Sequence, residues 1–281
     1  MTPSQELRVT RAVRDRDALE LRATARELAA GADPVATGRA LLACDDQGRR
    51  EFAARLLGEV AARGGDPAEA AVVALGELAR TGEDHAVLCA ALESLGVLVD
   101  ASAARKPLLA LAPHPSFSIR WRLAAALRAA HAGDPRVEAA LVALAADPRP
   151  IVRLEAVDAL ALLWPPRSPA VDGALRAACD DPDDERIVVS ALVGLARAHV
   201  HLPAAPLARV LAPERMAAAP SGAAERLLTA LAHSGRPEAE APLRHLVLLW
   251  RPRDPTTASA LAAAVAACVA PAPRTPEPAA R

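Results

Sequence analysis

Residues 147–163, DPRPIVRLEAVDALALL, open with an Asp-Pro turn signal, run into an apolar stripe and carry one arginine, Arg153, directly after Val152. Whether Arg153 is a functional or a structural cation depends on whether the stretch recurs. It does. The segments VLCAALESLGVL from Val87, IRWRLAAALRAA from Ile119, VRLEAVDALALL from Val152 and IVVSALVGLARA from Ile187 align on their apolar residues, with starts 32, 33 and 35 residues apart. Two more fit more loosely, FAARLLGEVAAR from Phe52 and AAERLLTALAHS from Ala223. In each, the first, fifth, sixth and ninth positions are apolar: Val152, Ala156, Val157 and Leu160 in one, Ile119, Leu123, Ala124 and Leu127 in another. Spacings of four and eight return to one side of a 3.6-residue helix, so each segment is predicted to bury a stripe.

Between these helices lie second ones with their own start signals. DPAEAAVVALGELARTG, DPRVEAALVALAAD and SPAVDGALRAACDD place Asp66, Asp134 or Ser168 at the N-cap and a proline at the first helical position. An Asp or Ser oxygen there satisfies amide donors that the helix leaves open, and proline has no donor to lose. No segment shows the alternating, β-branched signature of a strand. The unit is therefore a helical hairpin of about 35 residues, which cannot bury both faces alone and must stack on its neighbours.

The D-P start, the V-R pair and the A-V-x-A-L run of residues 147–163 resemble a HEAT repeat, in particular the short bacterial HEAT-like form also found in phycobilisome lyases. The resemblance covers roughly residues 33–250 and is strongest over 115–199. It implies that the arginine of the V-R pair bonds to an acidic residue of its own or an adjacent repeat, forming a ladder. Arg120 and Arg153 match that position, while Leu88 and Val188 replace it in the flanking units, so the ladder is short. On this reading Arg120, Arg153 and Asp147 are structural.

Composition bounds the function. The chain has 281 residues, 52% hydrophobic and 24% charged, with a formal net charge of −1 and acids and bases interspersed. No broad field would draw in nucleic acid or an anionic membrane. Aromatics make up 2%, tyrosine and asparagine are absent, and Lys106 is the sole lysine, a bias that a GC-rich genome explains. Cys44, Cys89, Cys179 and Cys268 lie far apart and read as small buried hydrophobes of a reducing compartment. The start, MTPSQELRVTRAVRDRD, lacks the apolar core of a signal peptide, and TTASALAAAVAACVA near the end is shorter than the about 20 residues that cross a bilayer. A cytoplasmic protein is expected.

No nucleophile elbow, phosphate loop or H-E-x-x-H motif occurs, so no catalytic residue is assigned and the chain is not expected to be an enzyme. His199 and His201 supply two ligands at most where a metal needs three or four, and no metal or cofactor is expected. CDDPDDER, residues 179–186, is read as a turn with Asp183 or Asp184 as N-cap rather than a calcium loop. Trp121 aligns with Cys89, Leu154 and Val189 and is assigned to the core, whereas Trp164 and Trp250 end helices as edge packing. The alternatives are enzymatic or small-molecule modules on HEAT-like repeats: a bilin lyase, for which no tetrapyrrole-binding motif is present, or an alkylpurine DNA glycosylase, which needs a basic groove.

The architecture predicted is all-α, a right-handed α-solenoid of about seven stacked HEAT-like hairpins. Residues 1–46 form N-terminal capping helices, with 17–43 as the cap proper, 47–253 the repeat array, 254–270 a closing helix and 271–281 a Pro-rich disordered tail. The function predicted is a non-catalytic scaffold that binds a protein or peptide through a concave face lined by the second helices. Its exposed positions are Glu69, Arg105, Arg136, Glu138, Asp172, Arg176, Arg209 and Arg244, mixed in sign as suits a polypeptide rather than a polyanion.

Overall fold

The computed structural model describes residues 1–210 apart from 16, 82–83, 99–101, 131–132, 164–167 and 199, and beyond them residues 226–227, 230–231, 244, 247–248 and 262. The closing helix and tail expected at 254–281, Trp164, Trp250, His199 and most of the segment from Ala223 lie outside the described residues. Among those described, every regular element is helical. In chain order they are α1 (Pro3–Asp15), α2 (Ala18–Ala29), α3 (Pro34–Leu42), α4 (Gln47–Arg63), α5 (Asp66–Arg80), α6 (His85–Gly96), a 3-10 turn Ser102–Ala104, α7 (Arg105–Leu109), α8 (Phe117–Ala130), α9 (Pro135–Leu144), α10 (Pro150–Ala161), α11 (Pro169–Ala178), α12 (Glu185–Arg197) and α13 (Ala204–Val210). None is long and apolar enough to cross a membrane.

The chain divides into two compact units, Met1–Ala159 and Leu160–Arg281. In the first, α2, α4, α6 and α8 pack side by side in one layer, and α3, α5, α7 and α9 in another. Hairpin partners α3 and α4, α5 and α6, and α7 and α8 join the layers, and α4 and α8 also touch the following α5 and α9. Each helix meets its neighbours in the stack, which is the architecture of an all-α solenoid. In the second unit α12 packs on α11 and α13.

The buried stripe is the one the apolar spacing predicts. Ile119, Leu123, Ala124 and Leu127 of α8, and Val152, Ala156, Val157 and Leu160 of α10, are each 0% exposed. Burying a leucine or isoleucine contributes about 1.5 to 3 kcal/mol, so these rows carry the array. Between the large residues, small ones set the helix spacing. The hydroxyl of Ser94 in α6 donates to the carbonyl of Ala54 in α4 at 3.1 Å, and a Cβ on Gly58 would stand 2.6 Å from the Ser94 side chain. At that crossing only glycine allows the backbones to approach so closely.

The caps follow the sequence with one shift. Asp134 accepts from the Arg136 amide and Asp184 from the Arg186 amide, and Ser168 occupies its N-cap without a side-chain bond. Asp66 is instead the first residue of α5, with Gly65 as N-cap. Gly64 and Gly65 both have positive φ, 74° and 79°. This left-handed turn places the start of α5 one residue early, because glycine tolerates a conformation that a side chain resists.

Candidate partner-binding surface

Two kinds of charged residue separate in the structure: those that fasten one repeat to the next and those that face solvent. The fasteners decide which charges remain for a partner. Arg120, in the first turn of α8, reaches Asp147 with Nε at 2.6 Å from Oδ2 and Nη2 at 3.1 Å from Oδ1. Its Nη1 donates back to the carbonyls of His114 and Pro115. The side chains are 14% and 5% exposed, so this is a largely desolvated two-bond pair. Burial pushes the Asp147 carboxyl up, but bonds from Arg120 and from the Arg149 amide, with the charges of Arg120 and Arg153, outweigh it and hold it below the usual carboxylate range. Arg153 repeats half of the pattern, its Nη1 donating to the Asp147 carbonyl at 2.9 Å. Arg120, Arg153 and Asp147 are thus brought together as one clamp.

Asp134 is the centre of a second clamp that sequence reasoning missed. It caps α9, takes a forked bond from Arg136 at 3.1 and 2.7 Å, and pairs with Arg105 at 3.3 Å. Arg136 holds its carboxyl well below the usual range, first through the side-chain bond and then through its backbone amide. Arg105, expected on the exposed face, also donates Nε to the Ala130 carbonyl at 2.9 Å and is 20% exposed. The reason is local: α7 is a single short turn, so its first residue reaches the open carbonyl end of α8.

Glu138 is likewise not exposed; its relative accessibility is 8%. Val137, Glu138, Leu141 and Leu144 are all buried, and the three- and four-residue steps put Glu138 on the packed side of α9. Glu69 and Arg176 are exposed as expected, Arg136 is exposed though held by Asp134, and Asp172 is half-buried. Arg209 donates to the Cys179 carbonyl at 3.3 Å. Arg244 is exposed.

Trp121 departs from the core assignment and is half-buried, as are Cys89 and Leu154 at the same repeat position, whereas Val189 there is buried. At about 100° per residue the third position stands roughly 60° outside the arc spanned by the first, fifth, sixth and ninth. The Arg122 guanidinium lies 5.0 Å from its ring centroid, and its indole stands near the Glu155 carboxyl. Burial pushes that carboxyl up in pKa, against the nearby charge of Arg128. Trp121→Ala is accordingly expected to cost about 2 kcal/mol in chemical denaturation, below the about 3 to 5 typical of a fully buried ring. A loss in that higher range would return Trp121 to the core.

Along the same layer the charges answer one another. Arg26 pairs with Glu59 at 3.5 Å, Arg55 with Glu93 at 3.7 Å, Arg122 with Glu93 at 2.9 Å and Arg128 with Glu155 at 3.4 Å. Half-exposed pairs of this kind contribute about 0 to 1 kcal/mol each, but they leave few open charges on the first-helix layer. The second helices differ. Glu69 and Lys106 of the first unit and Arg176 of the second make no ion pair among the described residues; Ala139 and Ala143 of α9 are exposed, as are Gly173 and Ala177 of α11. Among the described residues no three His, Cys, Asp or Glu side chains group as metal ligands would.

Residues 105–196 match the family model for HEAT repeats. Over those residues, about a third of its length, the chain resembles HEAT repeats. The matched HEAT segment includes both clamps, α7 to α12, and the repeat geometry around it agrees with solved structures. The Escherichia coli YibA structure superposes with a TM-score of 0.67 at 17% identity, over 95% of this chain and 93% of that one. An engineered protein gives a TM-score of 0.53 at 20% identity, over 95% of this chain and 79% of its own. A HEAT-like repeats protein from the archaeon Thermococcus onnurineus aligns at 18% identity over 75% of this chain and 95% of its own, with a TM-score of 0.44. At such identities a likeness speaks for the fold alone. No curated protein matches the sequence.

Proposed function

We propose that this chain is a non-catalytic cytoplasmic scaffold that binds a protein or peptide through the exposed stripe of the second helices of its first unit, α5, α7 and α9. The observation that carries the reading is the division of charge. The first-helix layer uses its arginines and glutamates on one another, whereas Glu69 and Lys106 of the same unit are open and opposite in sign, and Ala139 and Ala143 of α9 are exposed. Mixed charge beside low relief suits a polypeptide backbone with alternating side chains better than a phosphate chain, which needs several basic contacts. The thiols fit a reducing compartment. Cys44, Cys89 and Cys179 are free, and burial, with Asp180 adding to it, pushes Cys179 up to about 12 and keeps it unreactive.

The test is crosslinking mass spectrometry on partners captured from native extract by the intact chain and by Glu69→Lys with Lys106→Glu. Crosslinks on α5, α7 and α9 that the double variant loses are expected. Because both residues are exposed, stability should change by no more than about 0.5 kcal/mol per site. Capture that survives the double variant, with crosslinks on the first-helix layer, would reject the assignment of this surface.

A further inference from the structure

The edge of the first unit where α8 and α10 begin holds a contact that stacking does not require. Phe117, the first residue of α8, is 44% exposed and Ile151, near the start of α10, is 37% exposed. The chain has two phenylalanines, and the other, Phe52, is buried at 1%. The Arg149 guanidinium lies 5.4 Å from the centroid of the Phe117 ring, within the range of cation–π attraction.

This pairing is built rather than incidental. Arg120 ties down the His114 and Pro115 carbonyls, and Asp147, which Arg120 grips from α8, accepts the Arg149 amide at 2.9 Å. Pro115 and Pro148 fix φ on either side. The clamp between repeats therefore also sets the ring and the guanidinium side by side before any partner arrives, which lowers the ordering cost of binding. The charge at the edge is unbalanced as well. Both Asp147 oxygens are taken by Arg120, and Asp84 caps α6 while accepting from Gln47. Arg149 makes no ion pair among the described residues.

We propose that Phe117, Arg149 and Ile151 form a docking point for an acidic linear segment of another protein, one with an apolar side chain beside an Asp or Glu. A guanidinium over a ring keeps its N–H groups in its own plane, where a carboxylate takes two parallel hydrogen bonds. The apolar neighbour then covers the exposed ring edge and Ile151. The site includes neither Glu69 nor Lys106, so either assignment can fail without the other.

The experiment selects a random displayed peptide library on the intact chain and measures the enriched peptides by fluorescence anisotropy against wild type, Phe117→Ser, Phe117→Leu, Arg149→Glu and Arg149→Lys. Enrichment of an apolar residue next to Asp or Glu is expected. Arg149→Glu and Phe117→Ser should weaken binding by about tenfold or more, as for a hot-spot contact, with Arg149→Lys and Phe117→Leu intermediate. Helical circular dichroism should be unchanged throughout. Peptides without a carboxylate, or binding that Arg149→Glu leaves intact, would overturn the proposal. So would a concentration-dependent dimer in light scattering that Phe117→Ser dissolves, since a second copy would then be the occupant.

Discussion

Arg120→Ala lowers the stability of the chain by about 3 to 5 kcal/mol, the size typical of breaking a buried pair from one side. The substitution leaves the Asp147 carboxylate, 5% exposed, without its two-bond partner, and frees the His114 and Pro115 carbonyls at the same time. Arg120→Lys recovers little of this, because an ammonium cannot reproduce the fork. The pH dependence gives an independent readout. The folded Asp147 pKa is depressed, so its contribution is present above the ordinary carboxylate value of about 3.9 and is lost as pH falls through the folded value. Asp147→Asn is therefore less stable than wild type at neutral pH and loses less on acidification. Urea denaturation at neutral pH and below about pH 4 checks both. A neutral Arg120→Ala, with an unchanged acid limb in Asp147→Asn, would show the pair to be ornamental.

Gly58→Val destabilises by about 3 kcal/mol, at the upper end of overpacking. A Cβ at Gly58 meets both Cβ and Oγ of Ser94 at 2.6 Å, and Ser94 cannot swing away without giving up its bond to the Ala54 carbonyl. The branched side chain must force α4 and α6 apart, and α4 also packs against α1, α2, α3 and α5. Coupling identifies the cause. Ser94→Gly alone loses a hydrogen bond of about 1 kcal/mol, yet combined with Gly58→Ala it should relieve the clash, so the double variant is more stable than the sum of the two singles. Additive losses would mean that the helices adjust freely at this crossing.

The large apolar stripes of α8 and α10 were legible in the sequence because a four- and eight-residue spacing has one geometric meaning on a helix. The clamp of Arg120 and Asp147 was legible through the V-R pair. What escaped was set by the ends of elements. Arg105 looked like a surface cation because nothing in its neighbourhood announces that α7 is one short turn, from which the side chain reaches the end of α8. Glu138 looked exposed because a carboxylate is assumed to face water, although its spacing to Leu141 and Leu144 placed it on the packed side. For Trp121 the alignment with apolar residues was sound, but the third position lies at the margin of the buried arc, where Val189 fits inside and the larger Trp121 ring is covered only in part. Phe117 had a signal that went unused: an aromatic placed two residues before the stripe, among prolines and serines, in a chain nearly devoid of aromatics.

Arg120 and Arg153 each donate to a carbonyl six residues earlier, and Arg120 meets its carboxylate 27 residues later. The array thus keeps its own measure. A single-residue insertion between Arg120 and Asp147 would turn one partner away from the other, whereas excision of one whole period, residues 120–152, would bring Arg153 into the place of Arg120, six residues after the His114 carbonyl. Length change in such a chain is quantised: whole hairpins can be lost or duplicated, and fractions of one cannot.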